Sequence, residues 1–310
     1  MSTPLVLVTC RQMQVELPLH RERIEKLGYE VLAPDLGGRQ QFTAAELLEY
    51  GPRLVGIIAG DDELSREFFD GATELRTVIR WGIGMDSVDH DAARRHAVTV
   101  RNTPGVFGKE VADAAFGYIL NLARGFITVD AAVRQGEWPK HEGITLAGTR
   151  LGIVGFGAIG REIARRGSGF GMDLVAFDPY ANNGLPNVTM VSLEELMASS
   201  RFIVLACPLT PETLHLINAE RLALMRPDSY LINVARGPVV HEADLIDALK
   251  ASRVAGAALD VFEAEPLPLD SELRTLPNVI LGAHNGSNTR EGVSRASTTA
   301  VDFLVEELSR

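Results

Sequence analysis

Short apolar runs alternate along this chain with stretches in which apolar residues recur every three or four positions. In the first third, residues 4–10, 29–34, 54–60, 76–81 and 98–102 read as strands, and residues 21–27, 43–50, 65–69 and 89–95 read as helices. Strands with little polar alternation, separated by helices, predict a parallel sheet covered on both faces. Thr103-Pro104-Gly105 interrupts the pattern. The proline holds its predecessor extended and the glycine frees the next turn, so an interdomain crossing is expected there.

Beyond the crossing, Val111, Ala114, Ala115, Tyr118, Ile119 and Leu122 place a helix over residues 110–124, whose small residues suit close packing against a neighbour. Residues 135–148 lack a period, contain Trp138-Pro139 and read as an extended arm. A second alternating series follows. Strands are expected at 149–154, 173–178, 202–207, 229–235, 254–261 and 278–284, with helices at 159–169, 218–225 and 242–251. This is the pattern of a doubly wound α/β sheet. The final helical stretch, 289–308, has no strand after it and is expected to return onto the first domain.

With 310 residues, 46% hydrophobic and 23% charged, the chain has material for two globular domains with separate cores. Its formal net charge of −11 argues against a basic footprint, so neither nucleic acid nor an anionic membrane is expected as a partner. Cys10 and Cys207 are the only cysteines, both in apolar strand-like runs. They cannot form a disulfide framework or a CxxC metal site; no metal is expected, and both thiols read as buried and reduced. The N-terminal residues, from Met1 and Ser2 onward, lack the basic and apolar regions of a signal sequence, and no stretch reaches the roughly eighteen apolar residues of a membrane span. A cytoplasmic protein is expected.

The most informative stretch is Ile153-Val154-Gly155-Phe156-Gly157-Ala158-Ile159-Gly160. Gly155, Gly157 and Gly160 form G-x-G-x-x-G between a strand and a helix. The first permits a tight turn, the second lets a pyrophosphate approach the backbone, and the third lets helix pack on strand. The helix directs free N–H groups and partial positive charge at the same place. The next strand ends at Asp178, close to the spacing of a carboxylate that accepts the ribose hydroxyls of NAD, and no Arg or Lys follows to neutralise a 2′-phosphate. NAD is therefore expected over NADP.

Ligands of doubly wound sheets gather at the carboxyl ends of the strands. There the second series carries Arg236, then Glu263 and Glu265, then His284, after three successive strands. A fixed cation, a carboxylate and an imidazole suit proton transfer beside a bound anion.

On these stretches, together with residues 206–213, Asn233-Val234-Ala235-Arg236-Gly237, residues 260–266, Arg80-Trp81-Gly82-Ile83-Gly84-Met85-Asp86 and Asn102-Thr103-Pro104-Gly105, the sequence resembles the D-isomer-specific 2-hydroxyacid dehydrogenases, and their phosphoglycerate dehydrogenase-like branch most. The resemblance covers nearly the whole chain. It implies two Rossmann/flavodoxin-like, doubly wound parallel-sheet domains with the active site in the cleft between them. Residues 1–102 and 287–310 would form the substrate domain, and residues 103–286 the NAD-binding domain. The implied reaction is hydride transfer between NAD and a small D-2-hydroxy acid, plain or phosphorylated like 3-phosphoglycerate, giving its 2-keto acid.

In that reading His284 is the acid that protonates the keto oxygen, Glu265 holds its imidazole, and Arg236 binds the substrate carboxylate through paired N–H groups. The peptide N–H groups of Ile83 and Gly84 cradle the other side of the carboxylate, and Arg80 occupies a position that helps hold a phosphate in some phosphoglycerate dehydrogenases. For the cofactor, the resemblance adds Ala158 and Ile159 to the three glycines at the pyrophosphate, Pro208 and Thr213 beside the adenosine and ribose, Ala235 near the nicotinamide, Asp260 at its carboxamide, and Gly286 close to its ring. His241 stands where the family commonly places an Asp able to cap the next helix. A homodimer is expected, with the 110–124 helix and the 135–148 arm as contacts. Two other readings stay open: a phosphite- or phosphonate-type dehydrogenase on the same frame, and a non-enzymatic NAD(H)-sensing protein similar to the co-repressors that share it.

Overall fold

A computed structural model of the chain describes residues 3–181 and 184–310; Met1 and Ser2, where the N-terminal stretch read above begins, lie outside the described residues. Two compact units form, Met1–Phe107 with Asn288–Arg310, and Gly108–Ser287.

In the first unit, strands β1 (Leu5–Val8), β2 (Glu30–Leu32), β3 (Leu54–Ala59), β4 (Thr77–Arg80) and β5 (Thr99–Asn102) pair in parallel in the order β2-β1-β3-β4-β5. β1, β3 and β4 are buried along their whole length, which explains their unbroken apolar runs. One face carries helices Ala44–Leu48, Arg66–Gly71 and His90–Arg95, where Phe68 and Phe69 are fully buried against Leu5, Leu7 and Ile57. Each such ring contributes roughly 1.5–3 kcal/mol by leaving water. Helix Arg290–Leu308 does return to this unit, packing on β3, β4 and helix Arg11–Glu25. Gly56 makes the seat: a side chain there would begin 3.1 Å from Leu304. The crossing expected at Thr103 falls inside this unit, because Phe107 packs on Trp81 with ring centroids 5.1 Å apart and Arg295 donates to the Val106 carbonyl. The boundary therefore follows Phe107.

The second unit holds β6 (Arg150–Val154), β7 (Asp173–Phe177), β8 (Val188–Met190), β9 (Phe202–Leu205), β10 (Tyr230–Asn233), β11 (Gly256–Leu259) and β12 (Val279–Leu281), all parallel, in the order β12-β11-β10-β9-β6-β7-β8. The winding reverses between β6 and β9, and such a switch point opens a crevice at the strands' carboxyl ends. The fingerprint turn follows β6 there.

Four elements were not expected in full. Helix Arg11–Glu25 starts ten residues before the expected 21–27; its buried positions Met13, Leu17, His20 and Ile24 keep a helical period that Pro18 and many polar residues obscure. Helix Phe126–Arg134 buries none of its residues, so no apolar stripe announces it. Edge strand β8 is three residues long and largely unburied. Helix Leu193–Ser199 did carry a signal in Ser192-x-x-Glu195, since the Ser192 hydroxyl accepts from the Glu195 N–H at 3.1 Å. The expected 110–124 helix runs Gly108–Arg124 and packs against helix Ala158–Gly169 of its own unit, burying Val111, Ala112, Ala115, Phe116 and Ile119. Among the described residues no single helix is long and apolar enough to cross a membrane.

Candidate active site

The three glycines of the fingerprint do three different jobs. Gly155 has φ +93°, and a side chain on it would begin 2.6 Å from the Cys207 amide nitrogen, across the switch point. A side chain on Gly160 would meet the Gly155 carbonyl at 2.1 Å, so only glycine lets this helix approach the turn. Gly157, by contrast, has nothing within 4 Å of that position, and both it and Ala158 are exposed at the start of helix Ala158–Gly169. Ile159 is half-buried. An open backbone at a helix N-terminus fits a pyrophosphate. Asp178 follows β7, and its two carboxylate oxygens accept from the Phe156 and Tyr180 N–H groups, each at 2.8 Å. Each oxygen keeps acceptor capacity for a ribose hydroxyl. The residues present therefore fit a dinucleotide.

The loop after β9 is closed on itself. The Thr213 hydroxyl donates to the Pro208 carbonyl at 2.7 Å and accepts from the Thr210 N–H at 2.7 Å, so its one proton is used within the loop. Cys207 is half-buried rather than buried; burial, helped by the Asp178 charge, pushes its thiol up to about 11.

At the other strand ends, Arg236, Glu265 and His284 all belong to the second unit. Arg236 is half-buried and donates from Nη1 to the Ala235 carbonyl at 2.9 Å. Its turn is shaped by Asn233, only 1% exposed, which accepts from the Ala235 N–H at 3.0 Å and donates to the Arg236 carbonyl at 2.9 Å. Gly237 brings this turn against the next loop, for a side chain there would overlap the Phe262 carbonyl at 1.9 Å. In that loop Glu265 is fixed by one oxygen, which accepts from the Phe262 N–H at 2.9 Å. Its other oxygen lies 2.7 Å from Nδ1 of His284. The pair is 26% and 30% exposed, open to small molecules yet partly shielded from water.

His284 itself has φ +50°, a left-handed conformation that costs a non-glycine residue on the order of 1–3 kcal/mol. Asp260 holds it there. Its carbonyl accepts from the His284 N–H at 2.7 Å, and its buried carboxylate accepts from Asn285 N–H at 3.2 Å, Gly286 N–H at 2.8 Å and the Tyr118 hydroxyl at 2.8 Å. Tyr118, Asn233, Gly237 and Gly282 were not singled out by sequence. Asn233 and Gly237 lay in the stretch quoted around Arg236, and Tyr118 offered a signal as a phenol on an apolar helical stripe whose hydroxyl needs a buried partner.

Arg80, Ile83 and Gly84 belong to the first unit. The Ile83 carbonyl is tied by Asn102 at 2.8 Å, and Ile83 and Gly84 are half-buried. Arg80 is 4% exposed; its guanidinium donates to Asp61 and to the Trp81 carbonyl and packs over Gly82. Arg80 thus stands as a buried partner of Asp61, whose own side chain is 43% exposed. His241 precedes helix Glu242–Lys250 without capping it through its side chain.

A dinucleotide turn and an ordered carboxylate–imidazole pair at the strand ends of one doubly wound sheet define a dehydrogenase. Residues 116–286 match the family described as D-isomer specific 2-hydroxyacid dehydrogenase, NAD binding domain. The chain is 42% identical over 243 residues to a glyoxylate reductase of Thermococcus litoralis, covering 74% of this chain and 73% of that one. It is 35% identical over 301 residues to a D-3-phosphoglycerate dehydrogenase of Methanocaldococcus jannaschii, covering 94% of this chain and 56% of the relative. Among solved structures, the NADPH-dependent glyoxylate/hydroxypyruvate reductase of Sinorhizobium meliloti, in complex with NADP and malonate, superposes with TM-score 0.84 at 31% identity over 98% of this chain and 93% of that one. The chain belongs to the D-isomer-specific 2-hydroxyacid dehydrogenases. It is an oxidoreductase with a nicotinamide dinucleotide cofactor.

Proposed function

We propose that the chain interconverts a small, unphosphorylated 2-keto acid of the glyoxylate or hydroxypyruvate kind and its 2-hydroxy acid, the D form where the product is chiral, with NAD(H) as cofactor. The observation that carries this reading is the 2.7 Å contact between His284 Nδ1 and Glu265 Oε2. A proton held on Nδ1 by the carboxylate leaves Nε2 as the working nitrogen: protonated, it donates to a keto oxygen; neutral, it takes the proton back from a hydroxyl. Glu265 orients the ring and stabilises its charged form. Arg236 supplies a permanent cation with paired N–H groups for the carboxylate. When bound, the cofactor supplies or accepts the hydride at the carbon bearing that oxygen.

The engagement of Arg80 with Asp61 supports an unphosphorylated acid, as does the name of the glyoxylate reductase relative. Asp178 supports NADH over NADPH, because a 2′-phosphate would meet a carboxylate of like charge. The test follows NADH absorbance with glyoxylate, hydroxypyruvate, pyruvate and 3-phosphohydroxypyruvate, and NAD reduction with phosphite. Highest kcat/KM on glyoxylate or hydroxypyruvate is expected, with NADPH at least about tenfold poorer than NADH. Highest activity on the phosphorylated acid or on phosphite, or NADH binding without turnover of any donor or acceptor, overturns the proposal.

The same reading includes a cytoplasmic homodimer. The contact region shifts from the Gly108–Arg124 helix, which is spent on its own unit, to helix Phe126–Arg134 and the arm after it. There Phe126, Ile127 and Trp138 are 51%, 55% and 76% exposed, an apolar surface suited to a second copy. Sedimentation as a monomer at micromolar concentration would count against the dimer.

A further inference from the structure

We propose that Tyr118 is a positioning residue for the acid–base histidine, acting through Asp260; the inference rests on the role given to His284 above. Four contacts carry it. The Tyr118 hydroxyl donates to Oδ1 of Asp260 at 2.8 Å, and the same oxygen accepts from the Asn285 N–H at 3.2 Å. The other oxygen accepts from the Gly286 N–H at 2.8 Å, and the Asp260 carbonyl accepts from the His284 N–H at 2.7 Å. Asp260 is 3% exposed, so its charge is stabilised by these donors rather than by water.

The space around the pair is built for it. A side chain on Gly282 would begin 2.3 Å from the Tyr118 hydroxyl and 2.4 Å from Oδ1 of Asp260, and one on Gly286 would begin 3.0 Å from Oδ2. Burial and the neighbouring carboxylate push the Tyr118 phenol well above its ordinary value, so it stays a donor throughout the working range. Removing that donor leaves Asp260 with the two backbone N–H groups alone. The left-handed turn at His284 then loses part of what holds it, and the imidazole spends less time against Glu265.

The test compares the full-length protein with Tyr118→Phe, which deletes only the hydroxyl, and with Gly282→Ala, which displaces the pair from the other side. Amide hydrogen exchange over residues 282–286 is read alongside kcat, KM for NADH and thermal stability. Expected in Tyr118→Phe are about tenfold faster exchange at Asn285 and Gly286 and about tenfold lower kcat, with the melting temperature little changed. Unchanged exchange at Asn285 and Gly286, or unchanged kcat with only a lower melting temperature, overturns the proposal and leaves Tyr118 as packing. The exchange measurement needs no turnover. A wild-type protein that reduces no keto acid would thus defeat the functional reading, while the exchange result still decides whether Tyr118 holds this loop.

Discussion

The turn at Gly155–Gly160 and the loop at His284 stand at strand ends of the same sheet, yet they are built by opposite means. The first works through what is missing: one glycine adopts φ +93°, one leaves open space, and one lacks the side chain that would begin 2.1 Å from the Gly155 carbonyl. The second works through what is present, a strained histidine tied by Asp260 and braced by Glu265. A turn defined by absences is written in six residues, with only the wall at Cys207 arriving from elsewhere in the chain. A loop defined by tethers depends on Tyr118, which lies 142 residues from Asp260 in the chain.

The sharpest way to break the comparison is to remove the imidazole. His284→Ala is expected to lower kcat by roughly 10²-fold or more while NADH affinity, measured by fluorescence titration, stays within about twofold. Equal loss of both would mean that His284 shapes the cofactor site instead of working on the substrate.

Two glycine substitutions probe the other side. Gly160→Ala places a methyl against the Gly155 carbonyl and is expected to destabilise the protein by on the order of 1–3 kcal/mol in denaturant unfolding. Gly157→Ala meets no protein atom, so stability should hold while NADH affinity falls by about tenfold, since the methyl occupies the space where the pyrophosphate approaches. Unaltered affinity in Gly157→Ala would show that this opening serves no ligand.

That contrast also accounts for how much was legible in the sequence. Both doubly wound sheets could be read because buried parallel strands are unbroken apolar runs, and the fingerprint could be read because its demands are local. Arg236, Glu265 and His284 could be picked out as candidates by their place after successive strands. Their supports were legible only in part: Asn233 and Gly237 lay in the stretch around Arg236 with no role of their own, while Tyr118 read as part of a helical apolar stripe and Gly282 as part of a strand. Each acquires its role only when distant backbone arrives beside it. Arg80 shows the converse, because a residue's family position does not reveal that Asp61 pairs with its charge.

Arg236 gives a smaller test of the same point. Arg236→Lys keeps the charge but loses the planar fork, and KM for the keto acid is expected to rise about tenfold with the melting temperature unchanged. A rise of less than twofold would mean that a point charge suffices and that the Asn233-shaped turn need not aim a guanidinium.

The smallest expected effect lies at Cys207, whose amide nitrogen abuts Gly155 across the switch point. Burial raises its thiol from 9.0 to about 11, so the folded protein holds that proton more tightly than the unfolded chain. The sign follows: this contribution is fully present below pH 9, is lost as the pH rises from 9 to about 11, and then levels off. Partial exposure limits it to on the order of 1–2 kcal/mol. Denaturant unfolding of wild type and Cys207→Ala across that window measures it, and the stability difference between them should shrink by that amount as the pH rises. A constant difference would place the thiol in contact with solvent, and the wall behind the fingerprint turn would then be wetter than its packing against Gly155 implies.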